Sequence, residues 1–252
     1  MSMEVGVPDR KVLGVIPARY NSSRLPGKPL ADIHGKPMIF WVAKRVEASN
    51  LLIYTVATDD ERIAEACEQH DIPCVMTSKN CVNGTERVAE VAYQSDAEFF
   101  INIQGDEPLI NPQAINTMIN ALAQHDPVEF VQAVAPITDP AIVVDTSVVK
   151  VAVSALGEAL YFSRSPIPYP RAGGSDIYYR CVGLYLYSKE LLGLYSAMEV
   201  ARLEKLEQVE QLRILENKIR IHSVTVYDSG FSVDTPEDLR TVRSMGMELF
   251  SI

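Results

Sequence analysis

Positive charge is in short supply in this sequence: 23 Lys and Arg stand against 33 Asp and Glu, a formal net charge of −10. So negative a molecule is poorly suited to tracking nucleic-acid phosphates, and no nucleic-acid partner is expected, although a small anion can still bind in a local basic pocket. Cysteine is scarce as well. Cys67, Cys74, Cys81 and Cys181 show no Cys-x-x-Cys spacing and no clustered His, which argues against a zinc site or a thioredoxin-type pair and leaves reduced, structural thiols. No run reaches the ~18 apolar residues of a membrane span, and Met1 to Arg10 hold no apolar stretch of signal-peptide length. The expectation is a cytoplasmic protein with no membrane partner. Internal repeats, low-complexity tracts and interdomain linkers are also missing.

What is present is a chain of 252 residues, 47% apolar and 22% charged, within the range of one large globular domain, 1–252, with a continuous core. Strand-like and helix-like stretches alternate along it. Strands are expected at Val12–Ala18, Ile53–Thr58, Cys74–Thr77, Phe99–Ile103 and Phe130–Val134. Helices are expected near Pro37–Ala48, Asp60–His70 and Glu86–Tyr93 and after Pro112. Repeated units of this length predict a doubly wound α/β fold, a mainly parallel sheet covered by helices on both faces. From about Asp139 the rhythm changes. Val148–Val153 and Val182–Tyr187 read as strands around a Pro-rich stretch, Ser165–Arg171, so the segment at about 139–200 is read as a smaller insertion with a dimerisation surface. Helices at Leu203–Asn217 and Pro236–Met247 return the chain to the main layer.

Four constellations carry chemistry. Directly after the first strand, Pro17-Ala18-Arg19-Tyr20-Asn21-Ser22-Ser23-Arg24-Leu25-Pro26-Gly27-Lys28 offers cations, hydroxyls and a Gly where an open α/β sheet binds ligands. It lacks the Walker ending and the GxGxxG spacing; a polyphosphate suits it, and so does the plainer role of an exposed basic loop. Gln104-Gly105-Asp106-Glu107-Pro108 follows the strand at Phe99, so Asp106 can face the same crevice and ligate Mg²⁺ across nucleotide phosphates, unless this is simply a Gly-Asp turn. In Val233-Asp234-Thr235-Pro236-Glu237-Asp238, helix capping accounts for Glu237 and Asp238, which leaves Asp234 as the metal partner of Asp106. Asn83-Gly84-Thr85-Glu86-Arg87 opens a helix whose free backbone groups can read a base edge, though an ordinary capped start has the same pattern. His34, His70, His125 and His222 match none of these motifs and are taken as structural or surface residues.

In this order the four segments resemble the 3-deoxy-manno-octulosonate (Kdo) cytidylyltransferases, as do Ala57-Thr58-Asp59-Asp60, Ala159-Leu160-Tyr161-Phe162-Ser163-Arg164 and Glu210-Gln211-Leu212-Arg213. The resemblance runs from about Val12 to Val242. It implies a nucleotidyltransferase sheet, a homodimer, Mg²⁺, and transfer of CMP from CTP to Kdo for lipopolysaccharide biosynthesis. Ala18, Arg19, Ser23, Arg24, Lys28, Thr77, Gly84, Thr85, Arg87 and Gln104 would hold the nucleotide. Arg19, Lys28, Asp106 and Asp234 would be catalytic, the two aspartates through the metal. Arg164, Cys181, Tyr185, Glu210 and Gln211 would surround the sugar, with Arg164 on its carboxylate. Three departures lie on the sugar or dimer side: Cys181 stands where the family usually has His, Asp145-Thr146-Ser147 where Asp or Asn, Pro, Asn is common, and Ala201-Arg202 where Ser-Pro or Pro-Pro often occurs. A different acidic sugar, or a nucleotide-binding dimer without turnover, therefore stays open as an alternative.

Overall fold

Val15 and Ile16 are both fully buried although neighbouring strand residues point to opposite faces, so the sheet has to be covered on both sides. A computed structural model describes residues 11–22, 24–124, 128–171, 178–227 and 231–250. Strand β1 (Val12–Ala18) leads through the short hairpin β2 (Asp32–Ile33) and β3 (Lys36–Pro37) into helix α1 (Met38–Glu47). Then come β4 (Tyr54–Thr58), α2 (Glu61–Glu68), β5 (Cys74–Met76), α3 (Gly84–Tyr93), β6 (Phe99–Ile103) and α4 (Pro112–Gln124). Asp60 and Asn83 start α2 and α3 by accepting hydrogen bonds from the backbone N–H groups of Arg62 and Glu86. The second half runs β7 (Phe130–Ile137), α5 (Pro140–Val144), β8 (Lys150–Val153), β9 (Ala159–Ser163), β10 (Tyr178–Ser188) and α6 (Lys189–Tyr195). It closes with α7 (Arg202–Glu207), α8 (Gln211–Glu216), β11 (Ile221–Thr225) and α9 (Pro236–Ser244).

The main sheet has the order β11-β7-β10-β6-β1-β4-β5, with β8 and β9 attached beside β10. All ladders along this path are parallel except the two that β10 makes with β6 and β7. On one face Ile16, Val56 and Ile101 pack with Val42 of α1, Ile63 of α2 and Ile115 of α4. On the other, Val15, Phe100 and Tyr187 pack with Val88 of α3, Leu191 of α6 and Leu212 of α8. The doubly wound, mainly parallel fold expected from the alternating pattern is the one that forms. From β1 the chain winds to β4 and β5 on one side and returns to β6 on the other, so the loops beyond the carboxyl ends of β1 and β6 diverge and leave a crevice.

Within the segment 139–200, β8 and β9 attach beside β10, which itself runs in the middle of the sheet with Val182, Leu184 and Leu186 buried in the same core as Ile115 and Met118 of α4. One expectation needs correction. The single helix expected over Leu203–Asn217 is two helices. Gln208 takes a left-handed conformation (φ 54°) that ends α7, and the chain turns through Val209 and Glu210 before α8 begins. Strands β9 and β11 and helix α6 are further elements that the pattern did not reveal.

Candidate active site

The basic loop after β1 is held in a tight curl. Tyr20 C=O accepts from Ser22 N–H at 3.0 Å and from Gly27 N–H at 2.9 Å. Gly27 has φ +70°, and a Cβ there would meet the Tyr20 ring at 3.1 Å, so both conformation and space favour Gly. The curl aims the next residue inward: Lys28 Nζ donates to Asp106 Oδ2 at 2.6 Å and to Asp234 Oδ1 at 3.1 Å. Arg24 approaches Asp234 Oδ1 at 2.9 Å from the rim.

Each aspartate owes its place to a different element. Asp106 sits in the turn after β6, where a Cβ on Gly105 would come to 3.0 Å from Pro17 C=O, so a side chain there would press the two loops apart. Asp234 stands just before α9, and Val233 N–H donates to Asp106 C=O at 2.9 Å, tying the segments together. Thr235 and Asp238 form the reciprocal cap of α9, as read from the sequence, and Glu237 pairs with Arg240 on the surface. Asp234 is thereby left facing the cleft.

At the start of α3, Arg87 is buried, pairs with Asp59 at 3.3 Å and donates to Thr77 Oγ1. Arg87, Gly84, Thr85 and Gln104 join Ala18, Arg19, Arg24, Lys28, Asp106 and Asp234 around one cavity of about 450 Å³, which Cys181, Tyr185, Glu210 and Gln211 also line. Thr77 stands behind Arg87 rather than on the wall. Ser23 lies outside the described residues.

Arg164 is placed differently from the expectation. Its guanidinium donates to the carbonyls of Glu207 (2.7 Å), Thr146 (2.9 Å), Ser147 (3.2 Å) and Gln208 (3.3 Å), and it does not reach the cavity wall. A fork of donors that converges on loop carbonyls is satisfied without a ligand. Among the wall residues that the sequence reading did not assign to the site are Asn102, Tyr187 and Tyr195, all buried. Asn102 did leave a signal, being the one amide in the apolar strand Phe99–Ile103.

The cavity is divided electrostatically. Four cations, Arg19, Arg24, Lys28 and Arg87, line the β1 and α3 side. The far side presents thiol, phenol and amide groups and the Glu210 carboxyl, which burial pushes above its ordinary value against hydrogen bonds from Thr85 and Tyr195. Burial likewise raises the Cys181 thiol and the phenols of Tyr185, Tyr187 and Tyr195, so these remain neutral at physiological pH. Among the described residues no group of three or more His, Cys, Asp and Glu forms a metal cage. The Asp106 and Asp234 oxygens do converge on a single cation, the Lys28 ammonium, and a pair of hard oxygens suits Mg²⁺, which commonly takes one or two carboxylates with the rest from phosphate and water.

The family model described as Cytidylyltransferase matches residues 13–221. A 3-deoxy-manno-octulosonate cytidylyltransferase of Solibacter usitatus (strain Ellin6076) is 46% identical over 235 residues, covering 92% of this chain and 93% of the relative. This chain belongs to the 3-deoxy-manno-octulosonate cytidylyltransferase family. It is a nucleotidyltransferase, an enzyme. A second member, from Polynucleobacter necessarius subsp. necessarius (strain STIR1), is 44% identical over 252 residues, covering 97% of this chain and 98% of the relative. The solved structure of CMP:2-keto-3-deoxy-manno-octonic acid synthetase complexed with CTP matches with a TM-score of 0.89 at 40% identity, over 93% of this chain and 97% of that one. No helix among the described residues is long and apolar enough to cross a membrane.

Proposed function

We propose that this cytidylyltransferase joins CMP, taken from CTP, to 3-deoxy-manno-octulosonate with release of pyrophosphate, that it requires Mg²⁺, and that it serves lipopolysaccharide biosynthesis in the cytoplasm. The observation that carries the reading is the divided cavity, with four cations and two aspartates on one side and neutral hydrogen-bonding groups with Glu210 on the other. The relatives' names support the two substrates.

In this reading the anomeric hydroxyl oxygen of the sugar attacks the α-phosphorus of CTP. The new P–O bond forms as the bond to the pyrophosphate oxygen breaks, the hydroxyl proton is released to solvent, and no covalent enzyme intermediate is needed. Arg19 and Arg24 hold the outer phosphates, Lys28 offsets charge near the reacting centre, and Gln104 with the Asn83–Arg87 loop faces the nucleoside. Asp106 and Asp234 would hold Mg²⁺, which when bound supplies charge neutralisation and a lowered hydroxyl pKa.

A second reading, transfer to another acidic sugar, is favoured by Cys181, which lines the cavity and is a weak hydrogen-bonding partner. Pyrophosphate release measured across nucleotides and sugars separates the two. CTP with Kdo is expected to be the fastest pair, and no release with CTP and any acidic sugar sinks the proposal. Cys181→His is expected to lower the KM for Kdo by up to about tenfold, the worth of one recovered hydrogen bond. A pocket reshaped for another sugar would instead lose activity toward its own substrate in that variant and gain little with Kdo.

A homodimer is part of the proposal. Leu156 in the β8–β9 turn, Leu160 on β9 and Tyr169 further along the chain are 81%, 62% and 85% exposed, large side chains that a partner surface would cover. Light scattering is expected to give twice the chain mass, and a monomer at micromolar concentration would refute it.

A further inference from the structure

On the far side of the cleft one carboxylate is held by one oxygen only. Glu210, in the turn between α7 and α8, accepts at Oε2 from Thr85 Oγ1 at 2.7 Å and from Tyr195 OH at 3.2 Å. Its Oε1 accepts from no described residue, and the side chain lines the cavity. A carboxylate has room for about four hydrogen bonds, so the oxygen left over is the one a ligand can use.

Both donors are themselves fixed. Thr85, in the first turn of α3, is buried, and its hydroxyl also lies 3.2 Å from Tyr187 OH. Tyr195 ends α6 and is fully buried, with the Arg213 guanidinium 4.5 Å above its ring. Arg213 of α8 is in turn tied to Glu204 of α7 by bonds of 2.8 and 2.6 Å. The other charged or titratable groups that act on Glu210 are these two, Glu204 and Arg213, with the neutral phenols of Tyr185, Tyr187 and Tyr195. Thr85 also belongs to the helix start that borders the cationic side, so one hydroxyl joins the two halves of the cleft.

We propose that Thr85 and Tyr195 are positioning residues: they pin one oxygen of Glu210 so that the other is presented, correctly aimed, to a hydroxyl of the acidic sugar. This rests on the functional reading above. Two donors on one oxygen fix the rotation of the carboxylate, and without them Glu210 is free to turn its acceptor away from the substrate. The same donors favour the charged form, so their loss raises the carboxyl further above its ordinary value.

The test uses the full-length enzyme with Thr85→Val, Tyr195→Phe and Thr85→Ser. The first two are expected to raise the KM for the sugar about five- to tenfold, the usual size of one hydrogen bond, while kcat changes less; in Tyr195→Phe, which lies outside the nucleoside loop, the calorimetric Kd for CTP is expected to stay within about threefold. Thr85→Ser, which restores the hydroxyl, is expected to recover most of the loss. In kcat/KM for the sugar, the acid limb is expected to move to higher pH in both Thr85→Val and Tyr195→Phe. An unchanged sugar KM and acid limb in soluble, folded variants would overturn the inference, as would a loss confined to CTP binding. If the unaltered enzyme turns over no acidic sugar, the functional reading fails with it, an outcome distinct from normal turnover that is indifferent to both substitutions.

Discussion

Asp106→Asn and Asp234→Asn are each expected to lower turnover by ~10²-fold or more with the fold retained, a loss typical of one preorganised electrostatic group. The two carboxylates converge on one point, where the Lys28 ammonium lies 2.6 Å from one and 3.1 Å from the other. An amide keeps the shape and loses the charge, so it neither binds a hard cation well nor balances Lys28. Stability should change little, because in either variant Lys28 keeps the other aspartate as its partner. The bond from Val233 N–H to Asp106 C=O is backbone and survives either change. Steady-state turnover with a Mg²⁺ titration, beside a thermal melt, checks this. Near-normal turnover in either variant would remove that residue from the metal site.

Lys28→Ala is expected to cut kcat by a similar ~10²-fold, whereas Arg24→Ala should mainly raise the KM for CTP. Position decides the difference. The Lys28 side chain is 14% exposed and stands between both aspartates, while that of Arg24 is 61% exposed and pairs with Asp234 from the rim. A point charge beside the reacting centre acts in the transition state, and a guanidinium at the rim clamps the ground state and the transition state alike. Equal effects of both on CTP affinity, with turnover spared, would contradict this division.

Much of the fold could be read from the sequence because the chain is punctuated where strands end. Val12–Ala18 and Phe99–Ile103 are apolar runs buried on both faces and bounded by polar or turn residues, and both strands have those limits. The break at Gln208 was hidden because Leu203, Leu206, Val209, Leu212 and Leu215 keep helical spacing straight across it. Strand β11, Ile221–Thr225, mixes apolar and polar residues and owes its form to pairing with β7, far away in sequence. The cationic half of the cleft was legible for the same reason as the strands, since its residues sit in contiguous loops at strand ends. Arg164 was not. Whether a guanidinium meets a ligand or a carbonyl depends on where two distant segments, 146–147 and 207–208, bring their oxygens, and spacing along the chain carries no trace of that.

The reversed strand at the centre of the sheet bears on how the molecule is built in time. β6 ends at Ile103 and β7 begins at Phe130, yet the strand that lies between them does not start until Tyr178. A chain emerging from the ribosome can zip β6, β1, β4 and β5 together early, while β7 has no place in that sheet until β10 follows. Such long-range closure is the slow kind. Because Asn102 on β6 and Tyr185 and Tyr187 on β10 stand side by side on adjacent strands of the cleft wall, the pocket is among the last features of the nascent protein to exist.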